Sequence, residues 1–321
     1  MSDDKGRAAG CFKFSCLGCA TLIAVLVGFS LLLGALQMFG GQGTPEVENV
    51  TLSRPLPGSA HLTEAPDART VAPLPSGVNP AVQAGRLELD LSMGEFILRP
   101  GPAGQPIQVE ATYDKKSYEL VEEFETEEDG QWTYKVRFGG RLGSLSALFG
   151  EEADNRVVIT IPKDQPIALV GEIGIGENDS DLSGLWITEV DLDLGIGEHH
   201  LEFLDPPPEP MERFALNASI GELEVRGLGN ASPREIDVNF NIGEVELDLG
   251  GEWQNDAEAN LNFNIGEGRV RMPTTAHVEM ERMSLAIGES QSDSPRHELP
   301  EGAPTVRLAV QGSIGEIDFS R

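Results

Sequence analysis

Eight copies of one tripeptide constrain this chain more than any other feature. Met93-Gly94-Glu95 is followed by Ile175-Gly176-Glu177, Ile196-Gly197-Glu198, Ile220-Gly221-Glu222, Ile242-Gly243-Glu244, Ile265-Gly266-Glu267, Ile287-Gly288-Glu289 and Ile314-Gly315-Glu316. From the second copy onward the spacings are 21, 24, 22, 23, 22 and 27 residues. Self-similarity at that period marks a solenoid, in which each unit buries its apolar face only by stacking on its neighbours. Leucine-rich repeats share the period, but their L-x-x-L-x-L signature and a helical segment are both missing.

Each copy is flanked by apolar residues at every second position, which is the period of a strand. Val238, Phe240 and Ile242 alternate with polar neighbours before the Gly-Glu pair, and Val245, Leu247 and Leu249 resume the pattern after it. Leu216, Ala218 and Ile220 with Leu223 and Val225 repeat this phase, as do Leu192, Leu194 and Ile196 with Leu201 and Phe203. Two residues thus separate an inward Ile from the next inward position, where strict alternation allows one. An extra residue at a glycine signals a bulge or corner, because glycine alone adopts positive φ without steric cost. The expectation is an all-β, single-stranded β-solenoid of about 22-residue coils, stacked roughly 4.8 Å apart. Gly94, Gly176, Gly197, Gly221, Gly243, Gly266, Gly288 and Gly315 stand at its corners.

Residues 96–170 interrupt the repeat. Ile107–Ala111, Tyr118–Phe124, Trp132–Phe138 and Val157–Ile161 read as strands, with Asp129-Gly130 a hairpin turn between the second and third. With the first coil they make up residues 81–170, an N-terminal β cap ahead of the solenoid proper at 171–321. The seven acids between Glu119 and Asp129 read as a solvated hairpin tip that discourages edge pairing.

Upstream, Phe14 to Phe39 is 26 residues without a charge, enough to cross a bilayer as one helix. Lys5, Arg7 and Lys13 precede it and the next basic residue is Arg54, so the positive-inside rule keeps residues 1–13 in the cytoplasm and exports the rest. The expected location is the plasma (inner) membrane, single-pass, with an extracytoplasmic C-terminal domain. A cleaved signal peptide fits less well, since its apolar core is shorter and ends in an A-x-A-like site. Cys11, Cys16 and Cys19, the only cysteines, lie at the cytoplasmic end of this helix; one C-x-x-C pair does not close a tetrahedral zinc site. Ala20, Ala24 and Gly28 share one helix face, a candidate self-association surface. Residues 40–80 contain seven prolines and read as a semi-extended linker.

Of 53 acids and 23 bases, residues 41–321 hold 51 and 20, a net charge of about −31 on the exported part. That charge disfavours nucleic acid and anionic membrane surfaces as partners, because both demand clustered Lys and Arg, and no nucleic-acid partner is expected.

The strand–glycine–strand units resemble the bacterial putative-adhesin or toast-rack domains, as do Val157–Lys163 leading into Leu169–Gly176 and the turn Leu182-Ser183-Gly184-Leu185. They are also similar to the exported C-terminal part of LiaF-type cell-envelope stress proteins. The resemblance implies a membrane-tethered β-solenoid with a binding or regulatory role in the bacterial envelope. It implies no catalytic residues. LiaF-type proteins carry several transmembrane helices where this chain has a single expected span.

The candidate chemistry is sparse. Glu95, Glu177, Glu198, Glu222, Glu244, Glu267, Glu289 and Glu316 form a column if the coils are in register. Like charges at one coil's spacing repel, so the carboxylates face water, bond backbone N–H groups at the corner, or share cations such as calcium. The calcium β-roll repeat and the EF-hand loop are both absent from the sequence. A polysaccharide-cleaving or polysaccharide-binding β-helix is the alternative function, but a glycosidase needs two carboxylates in unequal environments, not a uniform row. His199 and His200 are adjacent on a strand and point to opposite faces. No cofactor is expected. Leu142, Leu145, Leu148 and Phe149 fit one helical face within a loop, with two roles open to it: covering the solenoid's end, or docking a partner or membrane. The strand after Gly315 has no capping repeat behind it, so its edge is expected to be open to strand pairing. The reading is a non-enzymatic, adhesin-like or envelope-stress regulatory binding module.

Overall fold

The computed structural model describes residues 46–57, 84–127, 130–141, 155–292 and 299–320. The expected transmembrane helix, the Ala20/Ala24/Gly28 face, the cysteines, most of the proline-rich stretch and the apolar patch Leu142, Leu145, Leu148 and Phe149 lie outside them. Among the described residues no helix is long and apolar enough to cross a membrane.

The described residues form thirteen strands in one sheet: β1 (Val47–Arg54), β2 (Gly85–Gly101), β3 (Ile107–Asp114), β4 (Tyr118–Thr126), β5 (Trp132–Gly140), β6 (Arg156–Pro162), β7 (Ile167–Asp181), β8 (Ile187–Glu202), β9 (Arg213–Arg226), β10 (Glu235–Asp248), β11 (Ala257–Arg271), β12 (His277–Ser292) and β13 (Thr305–Ser320). A single helical turn, α1 (Leu228–Ala231), lies between β9 and β10. The long strands β2 and β7 to β13 each carry one tripeptide and stack in parallel, so that every corner glycine pairs with the glycine of the next rung.

The stack explains why the corner must be glycine. Gly221 has φ 132° and Gly266 φ 136°, and a Cβ on either would overlap the carbonyl oxygen of the corner glycine one rung before it. An L side chain at these positions suffers both backbone strain and a collision with main chain that is itself held in the ladder.

Either side of the corner the alternation places Val238, Phe240, Val245 and Leu247, with most of their equivalents in the other rungs, in a continuous core. The return segments close its remaining side with Leu182, Leu185, Phe203, Met211, Leu228 and Trp253, all buried. On the outer face Asn217 bonds Asp193 at 2.9 Å, Asn239 bonds Asn217 at 2.9 Å and Asn262 bonds Asn239 at 2.8 Å. Such a ladder satisfies amide groups between rungs much as asparagine ladders do in stacked cross-β sheets.

Three expectations need correction. First, the linker does not begin at residue 40 as a strand-free segment: Val47–Arg54 pairs antiparallel with β3, and its alternating Val50 and Leu52 pack on the core. Second, the acids from Glu119 onward are not confined to a hairpin tip but line β4, which pairs only with β5. Third, the sheet order is β11-β13-β12, so the C-terminal strand is not an edge. Val306, Leu308, Val310, Ile317 and Phe319 of β13 are fully inward. β12, by contrast, has a register shift between Met280 and Arg282 and half-exposed Met280 and Met283. The better-patterned strand takes the interior slot and the irregular one takes the edge.

Candidate functional site

The tripeptide column is the most regular surface in the protein, and its geometry differs from the sequence expectation in one respect. Ile175, Ile196, Ile220, Ile242, Ile265 and Ile314 are 44–50% exposed, Ile287 66% and Met93 37%. The isoleucine is therefore outside, not inside, the corner. The strand register passes over the residue before it, which is Ser92, Gly174, Gly195, Ser219, Asn241, Asn264 or Ser313. The irregularity thus begins two residues before the glycine and leaves both the isoleucine and the glutamate outside the core. These residues are small or amide-bearing because they sit against the neighbouring rung; Asn264 Nδ2 donates to Asn241 Oδ1 at 2.8 Å.

The glutamates do form an in-register column, as the spacing requires: Glu95, Glu177, Glu198, Glu222, Glu244, Glu267, Glu316 and Glu289 follow one another across the sheet. Arg156 lies 3.3 Å from Glu95, and Arg269 bridges Glu244 and Glu267. Among the described residues no basic side chain reaches Glu177, Glu198 or Glu222, which are exposed. Likewise, among the described residues no three His, Cys, Asp or Glu side chains gather as a metal ion would need. Its seven members other than Glu289 are partly or fully exposed carboxylates, with Glu95, Glu244 and Glu267 offset by arginine.

A second acidic group surrounds Arg213, which reaches Asp191 at 2.8 Å, Asp237 at 3.4 Å, Glu189 at 3.7 Å and Glu235 at 3.8 Å. These neighbouring carboxylates hold the guanidinium pKa above its ordinary value, against a burial contribution that lowers it. One cation spans three rungs there, which makes it a lateral tie rather than a catalytic group.

Sequence reasoning missed a polar group inside the core. Asn178 and His199 occupy register-paired inward positions on β7 and β8, and Ser180 lies two residues beyond Asn178; all three are buried. Ser180 Oγ donates to Asn178 Oδ1 at 2.9 Å, but Asn178 Nδ2 and both ring nitrogens of His199 have no partner among the described residues. Burial, reinforced by the charge of His200, pushes the His199 pKa down to about 4. The signal was available in the repeat itself, since the equivalent position of the next rungs is Leu223 and Val245. His200 points the other way and meets Glu224 at 3.1 Å, in keeping with alternation along a strand.

Solved structures with similar chains include a putative cell adhesion protein from Clostridium sporogenes, at 12% identity over 86% of this chain and 99% of that one, with a TM-score of 0.42. A putative adhesin from Parabacteroides merdae is 11% identical over 86% and 97%, with a TM-score of 0.28. One from Bacteroides fragilis is 9% identical over 85% and 97%, with a TM-score of 0.24. No curated protein matches the sequence. Residues 78–226 match the N-terminal domain of toast-rack proteins, a span that holds the first rung, the cap strands and the rungs through β9. Over residues 78–226 the chain therefore carries a domain similar to the N-terminal domain of toast-rack proteins.

Proposed function

We propose that this protein is a non-enzymatic binding module of the bacterial cell envelope, tethered through its N-terminal apolar segment and presenting the toast-rack domain outside the membrane. The supporting observation is the corner column, where one exposed aliphatic side chain and one carboxylate recur on every long rung. A surface that repeats along one axis suits an extended partner gripped at several equivalent points. Catalysis instead needs chemically unequal groups converging on one atom. The charge-free stretch Phe14–Phe39, with basic residues only on its N-terminal side, supports the tether and its direction.

Two measurements test the reading. Alkaline phosphatase fused to the C-terminus is active only when exported; an inactive fusion alongside a fluorescent cytoplasmic one overturns the topology. The full chain in phosphatidylcholine nanodiscs is expected to co-sediment with envelope fractions of the source organism in a saturable manner. No retention above empty nanodiscs overturns the binding role.

A further inference from the structure

On three consecutive rungs the corner is uncompensated in both respects. Ile175, Ile196 and Ile220 are nearly half exposed, and beside them Glu177, Glu198 and Glu222 have no basic neighbour among the described residues. We infer that this part of the corner docks an amphipathic helix of a partner protein, one that carries a row of aliphatic side chains with lysines or arginines along one flank. The inference rests on the binding-module reading and names the chemistry of its partner.

The form of the partner follows from the backbone. The N–H and C=O groups of β7, β8 and β9 are engaged by the rungs on either side, so an extended peptide has no ladder to join here and only side chains are offered. A helix offers side chains alone as well. Its apolar positions recur on average every 3.5 residues, about 5.3 Å along the axis, against roughly 4.8 Å between rungs. The mismatch of about 0.5 Å per step leaves three or four successive contacts in phase. Aliphatic anchors at helical spacing laid against a row of aliphatic residues are a recurrent recognition mode.

Charge decides the flank and disfavours the obvious competitor. The glutamate stands two residues after each isoleucine, while Gly174, Gly195 and Ser219 stand immediately before it. One side of the row is therefore acidic and the other small and close to the backbone, which lets a helix approach and places its basic residues on the glutamate side. A second copy of this chain is a poor occupant, because residues 41–321 carry a net charge of about −31 and would add carboxylates to carboxylates that are already uncompensated.

The test uses the full chain in phosphatidylcholine nanodiscs and a fluorescein-labelled helical peptide of about 20 residues, with leucines at every third and fourth position and lysines along one flank. Binding is read by anisotropy, and the triple variant Ile175→Ser, Ile196→Ser, Ile220→Ser in the same nanodiscs sets the lipid background. Since these side chains face outward, the variant is expected to keep the far-UV spectrum of the parent and to bind at least tenfold more weakly. The triple variant Glu177→Gln, Glu198→Gln, Glu222→Gln leaves the apolar row intact and is expected to lose at least tenfold in affinity together with most of the salt dependence. Replacing the peptide lysines by glutamates is expected to do the same. Equal binding of the lysine peptide by the parent and both variants overturns the inference. So does a dimer of the full chain that the isoleucine variant dissociates, which makes a second copy the occupant. Envelope retention that persists unchanged in the isoleucine variant rejects this corner while leaving the binding-module reading in place.

Discussion

The two ends of the rung stack solve the same problem differently. At the N-terminal end β2 is covered twice: β5 continues the half before Gly94 and β6 the half after it. Each is then backed by antiparallel strands, β4 on one side and β3 with β1 on the other. Rings fill the space between them. Phe138 lies 5.5 Å from Tyr118 in a stacked arrangement and 5.4 Å from Tyr113 edge-on. Arg54 of β1 joins the two halves, pairing with Glu122 at 2.6 Å and lying 5.4 Å over the Phe124 ring. At the other end, among the described residues, β12 pairs only with β13 and leaves Met280, Met283 and Ile287 40–66% exposed. One edge is closed by packing and rimmed with acids; the other is an irregular strand whose bulge and charged residues discourage further pairing.

If burial governs the difference, substitutions should scale with it. Phe138→Ala removes the ring on which Phe96, Tyr113 and Tyr118 converge and is expected to cost about 3–5 kcal/mol in urea unfolding; a cost below 1 kcal/mol would show that the cap carries little of the stability. Acid comes next. An unfolded chain takes up the His199 proton as pH falls below 6.5, whereas the folded protein resists until about 4. Stability present above pH 6.5 is therefore lost as pH falls from 6.5 to 4, by roughly 3 kcal/mol. His199→Leu, which copies the Leu223 of the next rung, is expected to flatten that slope, and an unchanged pH profile would assign acid sensitivity elsewhere. Arg54→Ala severs the tie between the cap halves at about 1–2 kcal/mol, and hydrogen exchange is expected to rise in β1 before β2. Met283→Ser at the bare end is expected to shift stability by less than about 0.5 kcal/mol. A larger loss would mean that β12 is covered in solution.

Much of this architecture was legible in the residues. The glycine period announced the rungs, and the alternation at Val238, Phe240, Val245 and Leu247 identified the core. Asp129-Gly130 marked the β4–β5 hairpin, which forms antiparallel as expected. The direction of the isoleucine was not legible. Alternation carried forward from Phe240 places Ile242 inside, and only the stacked backbone reveals that the ladder passes over Asn241 while the pairing on either side keeps the same offset. The polar residues Asn178 and His199 stood out against Leu223 and Val245 in the repeat, but alternation marks a position as inward without saying what neighbours it.

The strand order at the far end was hidden as well, although the last spacing of 27 residues against 21–24 elsewhere hinted at an unusual connection. Sequence alone determined the repeating unit, since a glycine that must accept positive φ and a two-residue alternation are local requirements. Tertiary structure decided which strand fills the slot beside β11, which side chains the corner turns outward and which rung carries an unpartnered histidine. Those outcomes depend on competition between strands for the same hydrogen bonds and on what lies one rung away, about 22 residues distant in the chain.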